Sequence, residues 1–372
     1  MLLAAALDGA GHHPAAGRVA GPGADRPFDP FDAGAWARAA VLADRAPLDL
    51  VTVEDTFGAA RARPDAALVA ARVAPLTRRV GLVPVVTTTH TEPFHVASAL
   101  ATLDHISRGR AGWQPRISAR AVEADLVGAR PAPTAAEAFA DAVDGVEAVR
   151  RLWDSWEDDA IIKDVATGRF VDRDRLHYVD FAGGTFTVKG PSIVPRPPQG
   201  QPVVAVLAHV PPADDLAARG ADLVFVTPEP EAGAVRRRAD EVRAAEAAAG
   251  RAGEPLRVVA DLAVVLDATA GGAAARRDRL DEVAGAEWRT DAAVFAGTPG
   301  DLADLLAAGP GWGLAGWRLR PAVTEHDLPL VADVVAAALR PGATDAGDGA
   351  DLTLRSRLGL PRPASRYAGS GP

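Results

Sequence analysis

Polar side chains that could do chemistry cluster where apolar runs end. His12 and His13 follow Leu2–Leu7; Glu54 and Asp55 close Leu48–Val53; Thr88, Thr89 and His90 close Val80–Thr87. Gln114 and Arg116 follow Gly112-Trp113, His209 follows Val203–Ala208, and Thr227 follows Ala221–Val226. Imidazoles, carboxylates, hydroxyls and an amide of this kind move protons and hold polar ligands. His13, His90 and His209 are the candidate acid–base groups. Metal chemistry is not expected: the histidines lack His-Glu-x-x-His spacing, and His90 and His95 straddle a Pro turn. The chain has no cysteine, no Gly-x-Ser-x-Gly elbow and no Walker loop, which excludes thiolate and disulfide chemistry and gives no sign of a serine-hydrolase or P-loop site. Gly311-Trp312-Gly313-Leu314-Ala315-Gly316 spells the dinucleotide fingerprint but precedes a strand, so it reads as a turn.

These residues share one surface only if the runs are strands of one sheet. Continuous apolar strands alternate with helical periodicity near 33–45, 66–73, 92–107, 135–153, 212–219, 231–249, 299–307 and 327–339. Strands buried on both faces belong to parallel sheets. Eight strand–helix repeats (with Arg257–Leu266 and Trp317–Arg320 as the last strands) predict an α/β (β/α)8 TIM barrel over a doubly wound sheet. In a barrel the nominated residues converge on the mouth at the C-terminal strand ends. A long Pro/Gly-rich insertion, about 154–201, separates strands 4 and 5, and 341–372 forms a C-terminal arm, so the expected division is a barrel domain 1–340 and the arm.

The chain has 372 residues, a size that suits one such barrel, with a formal charge of −9. No basic excess is available for nucleic acid. No segment has the roughly 18 apolar residues of a membrane span. Leu2–Leu7 lacks the basic flank of a secretory signal, so a cytoplasmic location is expected.

Several stretches resemble the bacterial-luciferase-like flavin monooxygenases, in the branch of nitrilotriacetate and dibenzothiophene-sulfone monooxygenases. They are Gly11-His12-His13-Pro14-Ala15-Ala16, Thr77–Leu82 with Glu92–Val96, and, most specific, Ala101–Trp113. Leu152–Ala160, Leu176-His177-Tyr178, Val188–Pro191, Gly297–Pro299 and Leu358–Pro363 continue the match in order from about residue 8 to 363. The resemblance implies reduced FMN supplied by a separate flavin reductase, a peroxide formed on the flavin from molecular oxygen, a small organic substrate, and a homodimer. It aligns Asp55 with an acid near the flavin's polar edge, Thr88 and Thr89 with the hydroxyls after strand three, and Gln114 with an amide usually supplied by Asn.

The departures are local. Where the family reads Gln-Ala-Gly-Ser-Ser-Pro and grips the FMN phosphate, this chain reads Val206-Leu207-Ala208-His209-Val210-Pro211. Losing two donors to an ion costs roughly 3–6 kcal/mol. Arg116, His209 or backbone amides at the start of the helix after Pro211 are the groups that could replace them. The stretch between Ser118 and Glu137 is also shortened, and Gly17 stands where the family has Trp. The cofactor-side residues are therefore Asp55, Thr88, Thr89, Gln114, Arg116 and His209, in a reduced-FMN monooxygenase. The alternatives are a deazaflavin-dependent oxidoreductase, or a non-catalytic barrel acting as a binding or partner subunit.

Overall fold

A computed structural model describes residues 1–23, 25–46, 48–58, 62–128, 130–334, 338–339 and 352–368. Eight parallel strands close into a barrel: β1 (Leu2–Leu7), β2 (Leu50–Val53), β3 (Gly81–Thr87), β4 (Gly112–Arg116), β5 (Val203–Ala208), β6 (Leu223–Val226), β7 (Arg257–Leu266) and β8 (Gly316–Pro321). Closure is set by β8, which pairs with β1 through Leu2↔Gly316 and with β7 through Asp261↔Arg318. Gly316 is obligatory there, because a Cβ would lie 1.8 Å from the Leu2 carbonyl oxygen. The Gly-rich run before it is the expected turn, a 3-10 segment Gly309–Trp312 ended by Gly313 at φ +93°.

Helices follow the strands, all but α7 at the expected places: α1 (Ala33–Arg45), α2 (Ala66–Val73), α3 (Pro93–Ile106), α4 (Ala135–Asp154), α5 (Pro211–Gly220), α6 (Ala232–Ala248), α7 (Ala270–Ala284) and α8 (Thr324–Val334). The last starts three residues before the expected 327–339, and 335–337 lie outside the described residues. Between β7 and β8 the sequence pattern misses a helix and a strand. Ala270–Ala284 is helical, and Ala293–Gly297 adds a ninth parallel strand on β7 beside the barrel, followed by the expected helix, here Pro299–Ala308. A weak amphipathic stripe hides α7, which buries only Ala273, Arg276 and Leu280.

The period-two alternation of the strands divides the core in two. Leu3, Ala5, Leu7, Val51 and Val53 point outward into the layer shared with the helices. Leu2, Ala4, Leu50, Val83, Val203, Ala205, Phe225 and Val259 point inward and fill the barrel floor. Leu354, from the C-terminal segment, completes that floor and is fully buried. Residues 352–368 therefore pack under the barrel, while 341–351 and 369–372 of the anticipated arm lie outside the described residues.

The insertion holds two short hairpins, Ile161–Asp164 with Arg169–Val171 and Phe181–Ala182 with Thr187–Val188. Arg196 anchors it: Nε and Nη2 each donate to Asp154 Oδ1 at 3.0 Å, and Nη2 also donates to the Pro363 carbonyl at 2.8 Å. Insertion and C-terminal segment are thus tied together.

Candidate active site at the barrel mouth

Inward-facing positions become polar toward the C-terminal strand ends. Above the apolar floor, Asp261 of β7 faces Arg318 of β8 in a two-pronged pair, Nε to Oδ1 at 2.7 Å and Nη2 to Oδ2 at 2.6 Å. Arg318 Nη1 also donates to Gln114 Oε1 at 2.7 Å and to Thr52 Oγ1 at 3.3 Å, and the guanidinium lies 3.8 Å from the centre of the Phe225 ring. Arg318, Asp261 and Thr52 are all sealed from solvent. One turn nearer the mouth, Arg320 bridges Asp261 and Asp291, reaching Asp291 Oδ1 at 2.6 Å. Burial alone would lower the Arg320 pKa, but the two carboxylates outweigh it and hold the group charged.

This polar floor opens into a cavity of about 640 Å³ at the mouth, a volume within the range of small-molecule sites (about 300–1,000 Å³). Its polar lining is Asp8, His12, Glu54, Arg63, Gln114, Asp291 and Arg320. Its apolar lining is Pro115, Ile117, Phe139, Val206, Leu207, Val210, Ala213 and Leu216, with Arg116 at the end of β4 and His209 just after β5. Arg63 is committed to Asp8 at 3.0 Å. Burial lowers the His12 pKa, opposed by Asp8, so the ring is neutral at pH 7; its Nδ1 lies 3.3 Å from the Pro321 carbonyl.

Of the residues nominated from the sequence, His12, Glu54, Gln114, Arg116 and His209 meet in this cavity. Arg116 and His209 make no side-chain hydrogen bond or ion pair to any described residue, and His209 is exposed. Thr88 does not line the cavity. Its backbone N–H and Oγ1 both donate to the Arg116 carbonyl, at 2.8 and 3.1 Å, and fix the end of β4. Thr89 is buried and accepts the Ser118 N–H at 3.1 Å.

Asp55 is turned away from the cavity by strand parity. Inward Glu54 follows inward Thr52, so Asp55 points outward with Val53 and spends its oxygens on the Thr56 and Ala66 N–H groups at 2.7 and 3.0 Å. Burial raises its pKa against those two bonds. His13 is likewise outside: its ring is fully buried, Nε2 meets Asp281 Oδ1 at 3.1 Å, Nδ1 accepts the Ala15 N–H, and Trp288 lies 5.0 Å away. The mouth histidine on that loop is His12. His90, at φ +67°, lines a second cavity of about 340 Å³ with Thr88, Thr185 and the Arg130–Asp141 pair, and neither of its ring nitrogens has a hydrogen-bond partner among the described residues. Burial and then Arg130 lower its pKa. Among the described residues no three His, Cys, Asp or Glu side chains form a group that could hold a metal ion, and no helix is long and apolar enough to cross a membrane.

Asp8, Arg63, Asp261, Asp291, Arg318 and Arg320 were not nominated from the sequence. A signal existed for three of them. Arg318 and Arg320 alternate within a strand and Asp261 interrupts the run Arg257–Leu266, so charged side chains must face the barrel interior. Arg63 and Asp291 come from loops and carry no such signal.

The β5 rim settles one of the alternatives for an anion. Helix α5 starts with Pro211 and Pro212, which have no N–H, and the Ala213 N–H is already given to the Val210 carbonyl at 2.9 Å. Asp214 occupies the first turn, paired with Arg238. A negative charge and two missing donors remove the usual anion affinity of a helix N-terminus. The backbone amides after Pro211 therefore do not replace the missing serines.

A closed parallel barrel with a layer of buried charge and a cavity of mixed lining at its strand ends defines a (β/α)8 barrel protein. The chain belongs to the family described as luciferase-like monooxygenases, whose pattern matches residues 8–317. It is 36% identical over 213 residues to nitrilotriacetate monooxygenase component A from Aminobacter aminovorans, covering 57% of this chain and 47% of that protein. Over 336 residues it is 30% identical to a component of pristinamycin IIA synthase from Streptomyces pristinaespiralis, covering 90% of this chain and 92% of that one. The chain thus spans about half the length of the first relative and nearly all of the second. Among solved structures, EDTA monooxygenase from Chelativorans sp. BNC1 superposes with a TM-score of 0.79 at 22% identity, over 97% of this chain and 98% of that one.

Proposed function

We propose that this protein is the oxygenating component of a flavin-dependent monooxygenase that binds reduced FMN in the mouth cavity and oxidises a small organic substrate. The carrying observation is the mixed lining of the cavity: its apolar residues offer surface to a planar aromatic ring system, and Gln114, Glu54 and His12 offer polar groups to its edge. Family membership and the relatives named as monooxygenases support the reading. Bound flavin would supply the oxygen chemistry. The chain's own residues would orient it, exclude water with Phe139, Leu207 and Val210, and keep the floor charges fixed through Arg318 and Asp261. The reductase, molecular oxygen and a second copy of the chain are the partners this function calls for, and 1–340 with the arm 341–372 is the proposed division.

Asp55, Thr88 and Thr89 enter this proposal as residues that position the loops around the site; Gln114, Arg116 and His209 enter as contacts. His90 faces its own cavity and is the acid–base candidate on that side. A fluorescence titration with FMN and riboflavin, repeated anaerobically with reduced FMN, tests the function. Binding of reduced FMN is expected. Failure of every flavin to bind, with binding of a deazaflavin instead, would transfer the site to hydride transfer, and failure of both would make the barrel a non-catalytic one.

A further inference from the structure

We infer that a cavity on the strand-start face of the barrel, opposite the mouth, is a second small-molecule site, which takes a ligand carrying one oxyanion, phosphate or carboxylate, on an apolar body. This cavity has a volume of about 680 Å³. Gln201, Gly220–Asp222 and Ala249–Glu254, the stretches that lead into β5, β6 and β7, line it together with α4, the end of α5 and the C-terminal segment. Among the described residues Leu216 is the one shared with the lining of the mouth. Ala213 lines the mouth and Arg219 the lower cavity, about 9 Å further along α5 at 1.5 Å per residue.

The lower lining is rich in cations, in a chain whose formal charge is −9. Arg150, Arg219, Arg251, Arg355 and Arg366 stand there against Glu147, Asp222 and Glu254. Three carboxylates each serve two guanidiniums: Asp222 serves Arg150 and Arg355, and Glu147 serves Arg151 and Arg366. The third, Glu246, lies outside the lining and serves Arg243 and Arg251. Arg251 meets Glu246 only at 3.5 Å and donates to the main-chain carbonyls of Ala218, Ala221 and Glu254 at 3.0, 2.9 and 2.8 Å. Those bonds fix the guanidinium without cancelling its charge. Burial lowers its pKa, with Arg150 and Arg243 adding to the effect and Glu246 and Asp222 opposing it, so an anion beside it would be stabilising. Arg219 is exposed and uses Nε on Asp215 at 2.8 Å, and its two Nη groups bond nothing among the described residues. Tying the C-terminal segment to the barrel accounts for Arg150 and Arg355, but not for the open Nη groups of Arg219. Val143, Val146, Leu216, Pro361 and Pro363 offer apolar surface in the same cavity. Exposed Glu254 on the lining would repel a polyanion, which limits the ligand to one oxyanion.

Calorimetry on the full chain tests the site, with phenyl phosphate and benzoate as probes and phenol as the neutral control. Arg219 and Ala252 are exposed, so R219Q and A252E leave the fold intact, and A252E sets a carboxylate on the lining. R116Q removes the uncommitted guanidinium of the mouth. At least one of the two anions is expected to bind the wild type about tenfold or more tighter than phenol. R219Q should weaken that binding about 5- to 20-fold and A252E about 3- to 10-fold, while R116Q changes it less than twofold. Preference for phenyl phosphate identifies a phosphate ester as the ligand, and preference for benzoate a carboxylate. Absence of anion binding, or binding that R219Q and A252E leave unchanged, overturns the site. Binding lost in R116Q overturns it too, by placing the anion at the mouth. Flavin titration of the same proteins reads the proposed function separately. A wild type that binds no flavin removes that function and leaves the anion comparison to decide this site.

Discussion

Arg318 and Asp261 sit opposite each other in the β7–β8 register and join by two parallel hydrogen bonds of 2.7 and 2.6 Å in the sealed interior of the barrel. Their pairing converts the last barrel closure into an electrostatic clasp. Arg320 shares the same carboxylate, and the remaining negative charge comes from Asp291, bonded to Arg320, and from Glu54, 3.6 Å from Arg318.

Breaking that clasp removes the two-pronged partner of a buried charge, which Arg320 beside Asp261 or Glu54 beside Arg318 replaces only in part. Asp261→Asn or Arg318→Met is expected to cost about 3–5 kcal/mol in urea unfolding. The double variant Asp261→Leu/Arg318→Met should cost less than the sum of the corresponding singles, because no orphan charge remains there. A loss below about 1 kcal/mol in either single variant would show that water reaches the pair.

His12 and His13 are adjacent in sequence and opposite in role. His13→Ala removes a buried ring that holds Asp281 and the Ala15 N–H, so a loss of about 2–3 kcal/mol of stability is expected. Its effect on flavin affinity below the melting range should stay within about twofold. His12→Ala should do the reverse, with near-wild-type melting and weakened flavin binding. Paired melting curves and titrations read both, and a His13→Ala protein that is stable but flavin-blind would restore His13 to the site.

Asp55→Ala is expected to weaken flavin binding more than His177→Ala. Asp55 ties the loop after β2 to the start of α2, next to mouth-lining Glu54 and Thr56, whereas His177 pairs with Glu157 at 2.8 Å in the insertion. The effect is one of position, so the Asp55 variant should lose about 3- to 10-fold, the scale of one lost buried hydrogen bond. Equal affinities in the two variants would refute it.

Asp104 gives the fold a pH dependence of defined sign. It is buried under the barrel, where burial pushes its pKa from 3.8 to about 6 against the Gln199 and Ala111 hydrogen bonds. Between those two values the folded chain keeps a proton that the unfolded chain has released. Stability from this group is therefore present at low pH and lost as pH rises through about 6, by at most about 3 kcal/mol. Melting of wild type and Asp104→Asn at pH 4.5 and pH 7 isolates it. The variant should gain relative to wild type at pH 7, and parallel pH profiles would contradict the shift.

Strand and helix placement was legible because it rests on local pattern. Apolar runs of the right length and their spacing gave the eight barrel strands and most helices to within three residues. The polar α7, with three buried residues in fifteen, left too weak a stripe to see. Parity was also written in the chain: Glu54 inward implies Asp55 outward, and Arg318 and Arg320 must share a face. What the sequence by itself determined is thus the barrel, the polar ring at its mouth and the family. Only the tertiary structure decided which of those polar groups are spent on one another. Asp261 with Arg318 lies 57 residues apart, Arg63 with Asp8 55, and His13 with Asp281 268. Partners so distant are chosen by barrel closure and loop packing, which no local periodicity encodes, and among the described residues of the mouth cavity they leave the Arg116 and His209 side chains uncommitted.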